Sequence, residues 1–182
     1  MPFLSITVAK RTEILREGAV SKGLINDLSV INITFICTGN TCRSPMAQWF
    51  CQKYLSEKFG CDIDGTELMG YKVRSAGVMA MGQMPASKEV IEIFENKGID
   101  VSSHLSRQAD AALLEESDFL FVMNGSHRDM IIAMCPEASN RCLLLDDDRD
   151  VPDPIGQGMR IYNACAEHIE EAVKERLCEI LK

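Results

Sequence analysis

A short loop between a predicted strand and a predicted helix is the sequence feature that most limits how this chain can fold. Apolar side chains predominate over residues 31–36 and predict a buried strand. The segment CTGNTCRSP follows at 37–45, where we expect Ser44 to cap a helix that begins at Pro45. Backbone N–H groups and the positive end of the helix dipole meet at such a connection. The loop is therefore predicted to bind an anion.

A cysteine and an arginine stand six positions apart in this loop. The donors around Cys37 favour its thiolate, which is the nucleophilic form of the side chain. The planar guanidinium of Arg43 can donate to two phosphate oxygens at once. Together the two residues predict a nucleophile at the base of a phosphate cradle. The alternative is an ordinary turn, in which Gly39 and Asn40 supply the bend and the cysteines pack as small apolar groups.

Strand-like and helix-like patterns alternate along the rest of the chain. Strands are predicted at 31–36, 72–78, 118–123 and 141–145, and helices at 45–59, 86–97, 110–116, 126–134 and 158–181. This alternation predicts an α/β fold, a four-stranded parallel sheet with helices on both faces. The phosphate-binding loop after the first strand then lies beyond the carboxyl ends of the strands, where such sheets bind ligands.

The composition is that of a folded domain. A chain of 182 residues that is 46% hydrophobic and 25% charged is expected to form one core rather than to be disordered. No apolar run reaches membrane-spanning length and the N-terminus lacks a signal-peptide pattern, so we expect a soluble, cytoplasmic protein with no membrane partner. The net charge of −8 and the lack of a basic stretch argue against a nucleic-acid partner.

Eight cysteines raise the question of disulfides or a metal site. They do not form a C-x-x-C pair, and most fall on positions predicted to be apolar. We therefore expect reduced thiols, as in a cytoplasmic protein. The same spacing, without flanking histidines, argues against zinc. The sequence predicts no metal and no cofactor.

Four separated segments carry a resemblance that extends from about Asn32 to the C-terminus. They are CTGNTCRSPMA at 37–47, VRSAG at 73–77, SHLSRQ at 103–108 and DPIG at 153–156. In this order they resemble the low-molecular-weight protein phosphatase family. The resemblance implies a phosphatase domain over residues 31–182 whose substrates are phosphorylated proteins.

The resemblance also implies a role for each residue of the site. Cys37 would attack phosphorus and form a phosphocysteine intermediate, while Arg43 would hold the phosphate oxygens. Asp153 would protonate the leaving group and then activate water. The other substrate-binding residues of the loop would be Thr38, Gly39, Asn40, Thr41, Cys42 and Ser44. A solvated acidic loop is predicted for Asp146, Asp147, Asp148 and Asp150.

Three further polar residues resemble the network that supports this loop in the family. Side-chain hydrogen bonds among Asn40, Ser75 and His104 would hold Asn40 in a left-handed conformation, which asparagine tolerates better than most residues. The Ser44 hydroxyl, one turn from Cys37, is expected to donate to the thiolate. His127 and His168 are assigned structural or solvent-exposed positions.

The residues around the substrate favour one branch of the family. Phosphotyrosine members carry an aliphatic residue at the position of Thr41 and an aromatic residue at that of Ile155, and these sandwich the substrate ring. A hydroxyl at Thr41 can instead accept a hydrogen bond from a guanidinium nitrogen. The combination with DPIG resembles the protein arginine phosphatase branch. The alternative is that Thr41 only packs its methyl group and that the enzyme is a protein tyrosine phosphatase.

Two more distant functions are compatible with the cysteines. Arsenate reductases of the same fold use a further cysteine pair with six residues between, a spacing shared by Cys135 and Cys142. Their pair begins at the end of the third strand, however, where this chain has Asn124. A thiol redox sensor is the second alternative, because Cys37 and Cys42 lie in the loop with four residues between them and a disulfide between them would block phosphate binding.

Residues 1–30 precede the first predicted strand and form an N-terminal extension. Within them, ILREGAVSKGLIN at 14–26 resembles the C-terminal edge of threonylcarbamoyl-adenylate synthase-type domains. One interpretation is a remnant of such a fused domain, without its catalytic residues. The other is a solvated and partly helical extension.

Overall fold

A parallel sheet of four strands lies at the centre of the molecule, and the computed structural model describes residues 30–181. The N-terminal extension lies outside the described residues except for its last position. The strands are β1 (Ile31–Cys37), β2 (Tyr71–Gly77), β3 (Phe119–Val122) and β4 (Cys142–Leu144). Their order is β2-β1-β3-β4 and every pairing is parallel. The predicted α/β fold is confirmed.

Helices connect these strands and cover the sheet. The described residues contain α1 (Arg43–Phe59), α2 (Lys88–Glu95), α3 (Ala111–Glu116), α4 (Gly125–Met134) and α5 (Met159–Ile180), with short 3-10 helices at Ile63–Thr66 and Pro136–Ala138. Each of the nine predicted strands and helices corresponds to one of these elements, whereas the two 3-10 helices were not predicted.

The sheet separates two apolar layers. On one face, Phe35 and Phe121 stack with ring centroids 5.7 Å apart and pack with residues of α1, α2 and α5. On the other face, Ile36 and Val122 pack with residues of α3 and α4. Because neighbouring residues of a strand point to opposite faces, the side chains of Phe35 and Ile36 pack in different layers. Helices therefore lie on both faces, as predicted.

The order of the strands determines where a ligand site can form. After β1 the chain runs to β2 on one side of it, and the later strand β3 pairs on its other side. The loop that leaves β1 thus emerges where the direction of winding reverses, at the carboxyl ends of the strands. The residues between β1 and α1 occupy this position.

The start of α1 differs from the prediction. The helix begins at Arg43 and its N-cap residue is Cys42, which makes no side-chain cap bond, so the prediction that Ser44 caps a helix starting at Pro45 was wrong. Ser44 lies inside the first turn, where its hydroxyl oxygen is 3.2 Å from the Ala76 carbonyl oxygen and 3.0 Å from Cys37 Sγ, two alternative acceptors for its single hydrogen. The hydroxyl is thereby available to the loop rather than to the helix.

Candidate active site

The loop after β1 closes around the side chain of Cys37. The backbone N–H of Asn40 donates to Cys37 Sγ at 3.3 Å, and Ser44 Oγ lies 3.0 Å from the same sulfur. Cys37 is buried, so few water molecules can compete for these contacts. The sulfur is thus held at the base of the loop with a backbone donor within reach. The arrangement is suited to a cysteine that acts as a nucleophile.

Asn40 gives the loop its shape. Its φ is +56°, and its side-chain amide donates to Ser44 Oγ and Ser75 Oγ, both at 2.9 Å. Its side-chain oxygen accepts from the Arg107 backbone N–H at 2.9 Å, and its backbone carbonyl accepts from His104 Nε2 at 2.8 Å. Every polar group of this buried side chain therefore has a partner, and those partners hold the left-handed backbone in place.

His104 supports the loop by donating a hydrogen bond from Nε2. A carbonyl oxygen only accepts, so the ring must carry a hydrogen on the Nε2 that faces Asn40. Burial lowers the pKa of His104, although the bond to Asn40 opposes this shift. The structure thus brings together Asn40, Ser75 and His104, the three residues singled out as the support of the loop.

Arg43 and Asp153 meet at the mouth of the loop. The guanidinium of Arg43 is buried and donates to the Val151 carbonyl at 3.2 Å and, through Nη2, to the Asp153 carboxylate. The Asp153 side chain is 43% exposed, and its other oxygen accepts from the Ile155 backbone N–H at 3.1 Å. The carboxylate therefore lies at the rim, where it is accessible to a ligand, while the arginine lies beneath it.

The acidic loop before Asp153 is less solvated than predicted. Asp146 lies 2.5 Å from His168 Nε2 on α5, and burial opposes ionisation of Asp146 while the hydrogen bonds from His168 and its neighbours lower its pKa. Asp147 forms an ion pair with Arg176 of the same helix. The prediction of a solvated carboxylate was therefore wrong for Asp146, because a partner more than twenty residues away holds it. His168 has a structural role here.

Cys42 lies in the same loop but contacts a different part of the fold. Its sulfur is 3.3 Å from the Tyr162 hydroxyl on α5. Burial and the Cys42 thiol raise the pKa of Tyr162 to about 12, so the phenol stays protonated and can donate to the sulfur. All eight cysteines are free thiols.

The second cysteine pair considered above lies on the far side of the sheet. Cys135 and Cys142 belong to the apolar layer of α3 and α4, whereas Cys37 belongs to the layer of α1, α2 and α5. A thiol relay requires sulfur atoms that can approach one another. The sheet stands between these thiols, which argues against an arsenate-reductase relay through them.

Sequence reasoning also missed the contacts that His127 and Gly77 make with Thr38 of the loop. His127 of α4 is buried and its Nε2 lies 2.9 Å from Thr38 Oγ1. Gly77, at the end of β2, lies so close that a Cβ at this position would be 2.4 Å from the Thr38 carbonyl oxygen. The VRSAG segment contained Gly77, but a sequence pattern does not show which backbone approaches a glycine. Nothing in the sequence pointed from His127 to Thr38.

We expect Gly77→Ala to distort the loop. The added methyl group would overlap backbone atoms, which cannot move aside as a flexible side chain would. Overpacking of this kind typically costs about 1–3 kcal/mol in the free energy of unfolding, and here we also expect a loss of phosphate affinity. Chemical denaturation and calorimetric titration with inorganic phosphate measure the two effects. Gly125→Ala is the control, because a Cβ there meets nothing within 4 Å; equal affinities for both variants would contradict the close approach.

Other kinds of site find no support in the described residues. Among residues 30–181, no group of three or more His, Cys, Asp or Glu side chains is arranged to hold a metal ion. None of the helices in this part of the chain has the length and apolar character needed to cross a membrane.

A buried cysteine that accepts from a loop amide, a buried arginine and a carboxylate at the rim define the class of cysteine-dependent phosphatases. A family-level comparison specifies the class further. The model of the low molecular weight phosphotyrosine protein phosphatase family matches residues 32–182, and the chain belongs to this family.

Two relatives with established names differ in activity. A protein-arginine-phosphatase of Geobacillus stearothermophilus is 32% identical over 155 residues, which are 82% of this chain and 95% of the relative. Arsenate reductase 2 of Staphylococcus haemolyticus is 29% identical over 147 residues, which are 78% of this chain and 92% of the relative. The family fold thus serves more than one chemistry.

Solved structures with the same fold include both an arginine phosphatase and a tyrosine phosphatase. The YwlE arginine phosphatase, in a cysteine-to-serine mutant with a phosphorylated active-site serine, superposes with a TM-score of 0.73 and 29% identity over 84% of this chain and 97% of that chain. The tyrosine phosphatase Wzb of Escherichia coli K30, in complex with sulphate, gives a TM-score of 0.71 and 29% identity over 84% of this chain and 99% of that chain.

Proposed function

We propose that this protein is a protein arginine phosphatase, which hydrolyses phosphoarginine side chains through a phosphocysteine intermediate. The observation that carries the substrate assignment is the Thr41 hydroxyl. Thr41 is only partly buried, and its hydroxyl makes one long contact, 3.6 Å to Cys42 Sγ, among the described residues. Its oxygen is thus available to accept from a guanidinium N–H, which an aliphatic side chain could not do. Similarity to a protein-arginine-phosphatase supports the same assignment.

The mechanism follows from the charges that the reaction moves. The Cys37 thiolate attacks phosphorus, the phosphorus–nitrogen bond breaks, and Asp153 donates its proton to the departing guanidine nitrogen. Water then attacks the phosphocysteine, Asp153 takes a proton from it, and the sulfur–phosphorus bond breaks to release inorganic phosphate. The amides of residues 38–43 and the Arg43 guanidinium would neutralise the phosphoryl oxygens throughout.

Substrate binding requires a change of partner for Arg43. In the structure its guanidinium is paired with Asp153. A phosphoryl dianion entering the loop would take over Arg43, because a planar guanidinium binds two phosphoryl oxygens with good geometry. Asp153 would then be released from its cation beside a dianion, which favours the protonated acid that the first step needs.

The alternative substrate is phosphotyrosine. Ile155 follows the Asp153–Pro154 pair and is 65% exposed, so it offers an apolar surface at the rim on which an aromatic ring could lie. It lacks the flat face of an aromatic residue, which limits stacking with a phenyl ring. The arginine assignment is therefore preferred.

We also propose that residues 31–182 form the phosphatase domain and that it acts on phosphorylated proteins in the cytoplasm. Eight free cysteines support a reducing compartment, since cytoplasmic thiols are kept reduced. The suggested remnant of a fused domain lies outside the described residues.

A substitution at Thr41 tests the substrate assignment. Thr41→Ile is expected to lower turnover of phosphoarginine peptides and to raise turnover of phosphotyrosine peptides, shifting the ratio by roughly tenfold or more, because an unpaired buried donor costs about 1–3 kcal/mol. Parallel assays of kcat/KM on both peptides measure the ratio.

Thr41→Ser is the matched control, because it keeps the hydroxyl and should keep the wild-type preference. If the wild-type enzyme prefers phosphotyrosine, or if Thr41→Ile leaves the ratio unchanged, the tyrosine phosphatase alternative replaces the arginine phosphatase.

A further inference from the structure

His127 lies in the first turn of α4, on the opposite face of the sheet from α1. The turn is capped by Asn124, whose side-chain oxygen accepts from the His127 backbone N–H at 2.9 Å. The imidazole is 4% exposed, and its Nε2 lies 2.9 Å from Thr38 Oγ1. A side chain from one layer of the fold thus reaches the residue that directly follows Cys37.

The direction of this hydrogen bond follows from the other ring nitrogen. Nδ1 of His127 is buried and has no hydrogen-bonding partner among the described residues. A hydrogen on Nδ1 would be an orphaned buried donor, which is costlier than a bare lone pair. The hydrogen therefore sits on Nε2 and is donated to the Thr38 hydroxyl. Burial and the nearby Arg43 guanidinium lower the pKa of His127 to about 4, so the ring is neutral at physiological pH.

Thr38 is held from two sides. Its carbonyl accepts from the Met79 backbone N–H at 2.9 Å, which ties the loop to the chain leaving β2. Its hydroxyl accepts from His127, which ties the loop to α4. The peptide between Cys37 and Thr38 carries the first amide of the phosphate cradle, so its orientation depends on both anchors.

We propose that His127 is a positioning residue for the phosphate-binding loop, acting by donating Nε2–H to the Thr38 hydroxyl and so fixing the first amide beside Cys37. The inference rests on the proposed phosphatase function and adds a residue to it. A neutral donor suits this place, because a second cation beside Arg43 would compete with it for the Asp153 carboxylate.

Removal of the hydrogen bond between His127 and Thr38 should weaken the binding of phosphate oxyanions. We expect His127→Leu to raise both the KM for an activated aryl phosphate and the Kd for inorganic phosphate about tenfold, with a smaller change in kcat, since the cradle holds phosphate before and during the reaction. Thr38→Val, which removes the hydroxyl without changing the size of the side chain, should have a similar effect. Because both substitutions remove the same hydrogen bond, the variant that combines them should bind phosphate no more weakly than the weaker of the two single variants.

Two further variants separate positioning from stability. His127→Gln can place an amide N–H near the position of Nε2 and should restore binding to within about threefold of wild type. Ile131→Val removes one buried methyl group from the same helix, so it should lower stability without changing KM.

The proposal is overturned if Thr38→Val leaves phosphate affinity unchanged. It is also overturned if the fold-losses of phosphate affinity in the two single variants multiply in the double variant, or if Ile131→Val raises KM as much as His127→Leu. Phosphate binding is measured by calorimetry independently of turnover. A wild-type protein that binds phosphate but hydrolyses no phosphorylated substrate would therefore contradict the proposed function and leave the His127 test intact.

Discussion

Cys37→Ser is expected to reduce turnover by at least about a thousandfold while leaving phosphate binding largely intact. A serine hydroxyl is far less ionised than a cysteine thiol, and once phosphorylated it is a poor leaving group, so both chemical steps fail. The loop amides and Arg43 are unchanged in this variant. Steady-state assays on phosphopeptides measure the first effect and calorimetry with inorganic phosphate the second.

A cysteine elsewhere in the chain supplies the control. Cys178 is exposed on α5, so Cys178→Ser should keep wild-type activity. Substantial turnover by Cys37→Ser would refute the phosphocysteine mechanism.

The second large effect is expected at Asp153. Asp153→Asn should lower the rate on the order of a hundredfold or more with a poor leaving group, and less with an activated aryl phosphate, since general acid help contributes ~10²–10⁴. The asparagine oxygen can still accept from Arg43, so the change tests the proton rather than the contact. Rates on a phosphopeptide and on the aryl phosphate give the comparison.

Asp148→Asn is the matched control for this variant. Asp148 is exposed in the loop that precedes Asp153, and its removal should leave both rates unchanged. Equal losses on the two substrates in Asp153→Asn would show that Asp153 does not act as the acid.

The fold was predictable because its periodic patterns are strong. Buried strands such as β1 and the long amphipathic α5 carry patterns that local sequence reveals. Boundaries were less accurate where backbone geometry decides them. The first helix begins two residues before its predicted start, and α2 begins at Lys88 because the Ser87 hydroxyl accepts from Val90 N–H and caps it. The 3-10 helices are too short to show a period.

The site was predictable only in part, for a geometric reason. Cys37 and Arg43 share one loop, so their proximity follows from the sequence itself. Asp153 is 110 residues from Arg43, and only resemblance to the family selected it from several nearby carboxylates. His127 is 89 residues from Thr38, and no periodicity indicates where a single side chain at a helix start points. Contacts of this kind depend on how layers pack, which a local pattern does not encode.

The left-handed backbone of Asn40 means that selection for stability and selection for activity favour different residues at this position. A non-glycine residue in this conformation costs on the order of 1 kcal/mol, which the bonds from its neighbours offset. A glycine at this position would remove the backbone cost but also the side-chain bonds to Ser44, Ser75 and the Arg107 backbone, and with them the shape that receives a phosphoryl group. A screen for survival at high temperature and a screen for turnover should therefore enrich different residues here. Directed evolution of a more robust enzyme would do best to keep these anchors fixed and to seek its gains in surface positions away from the loop.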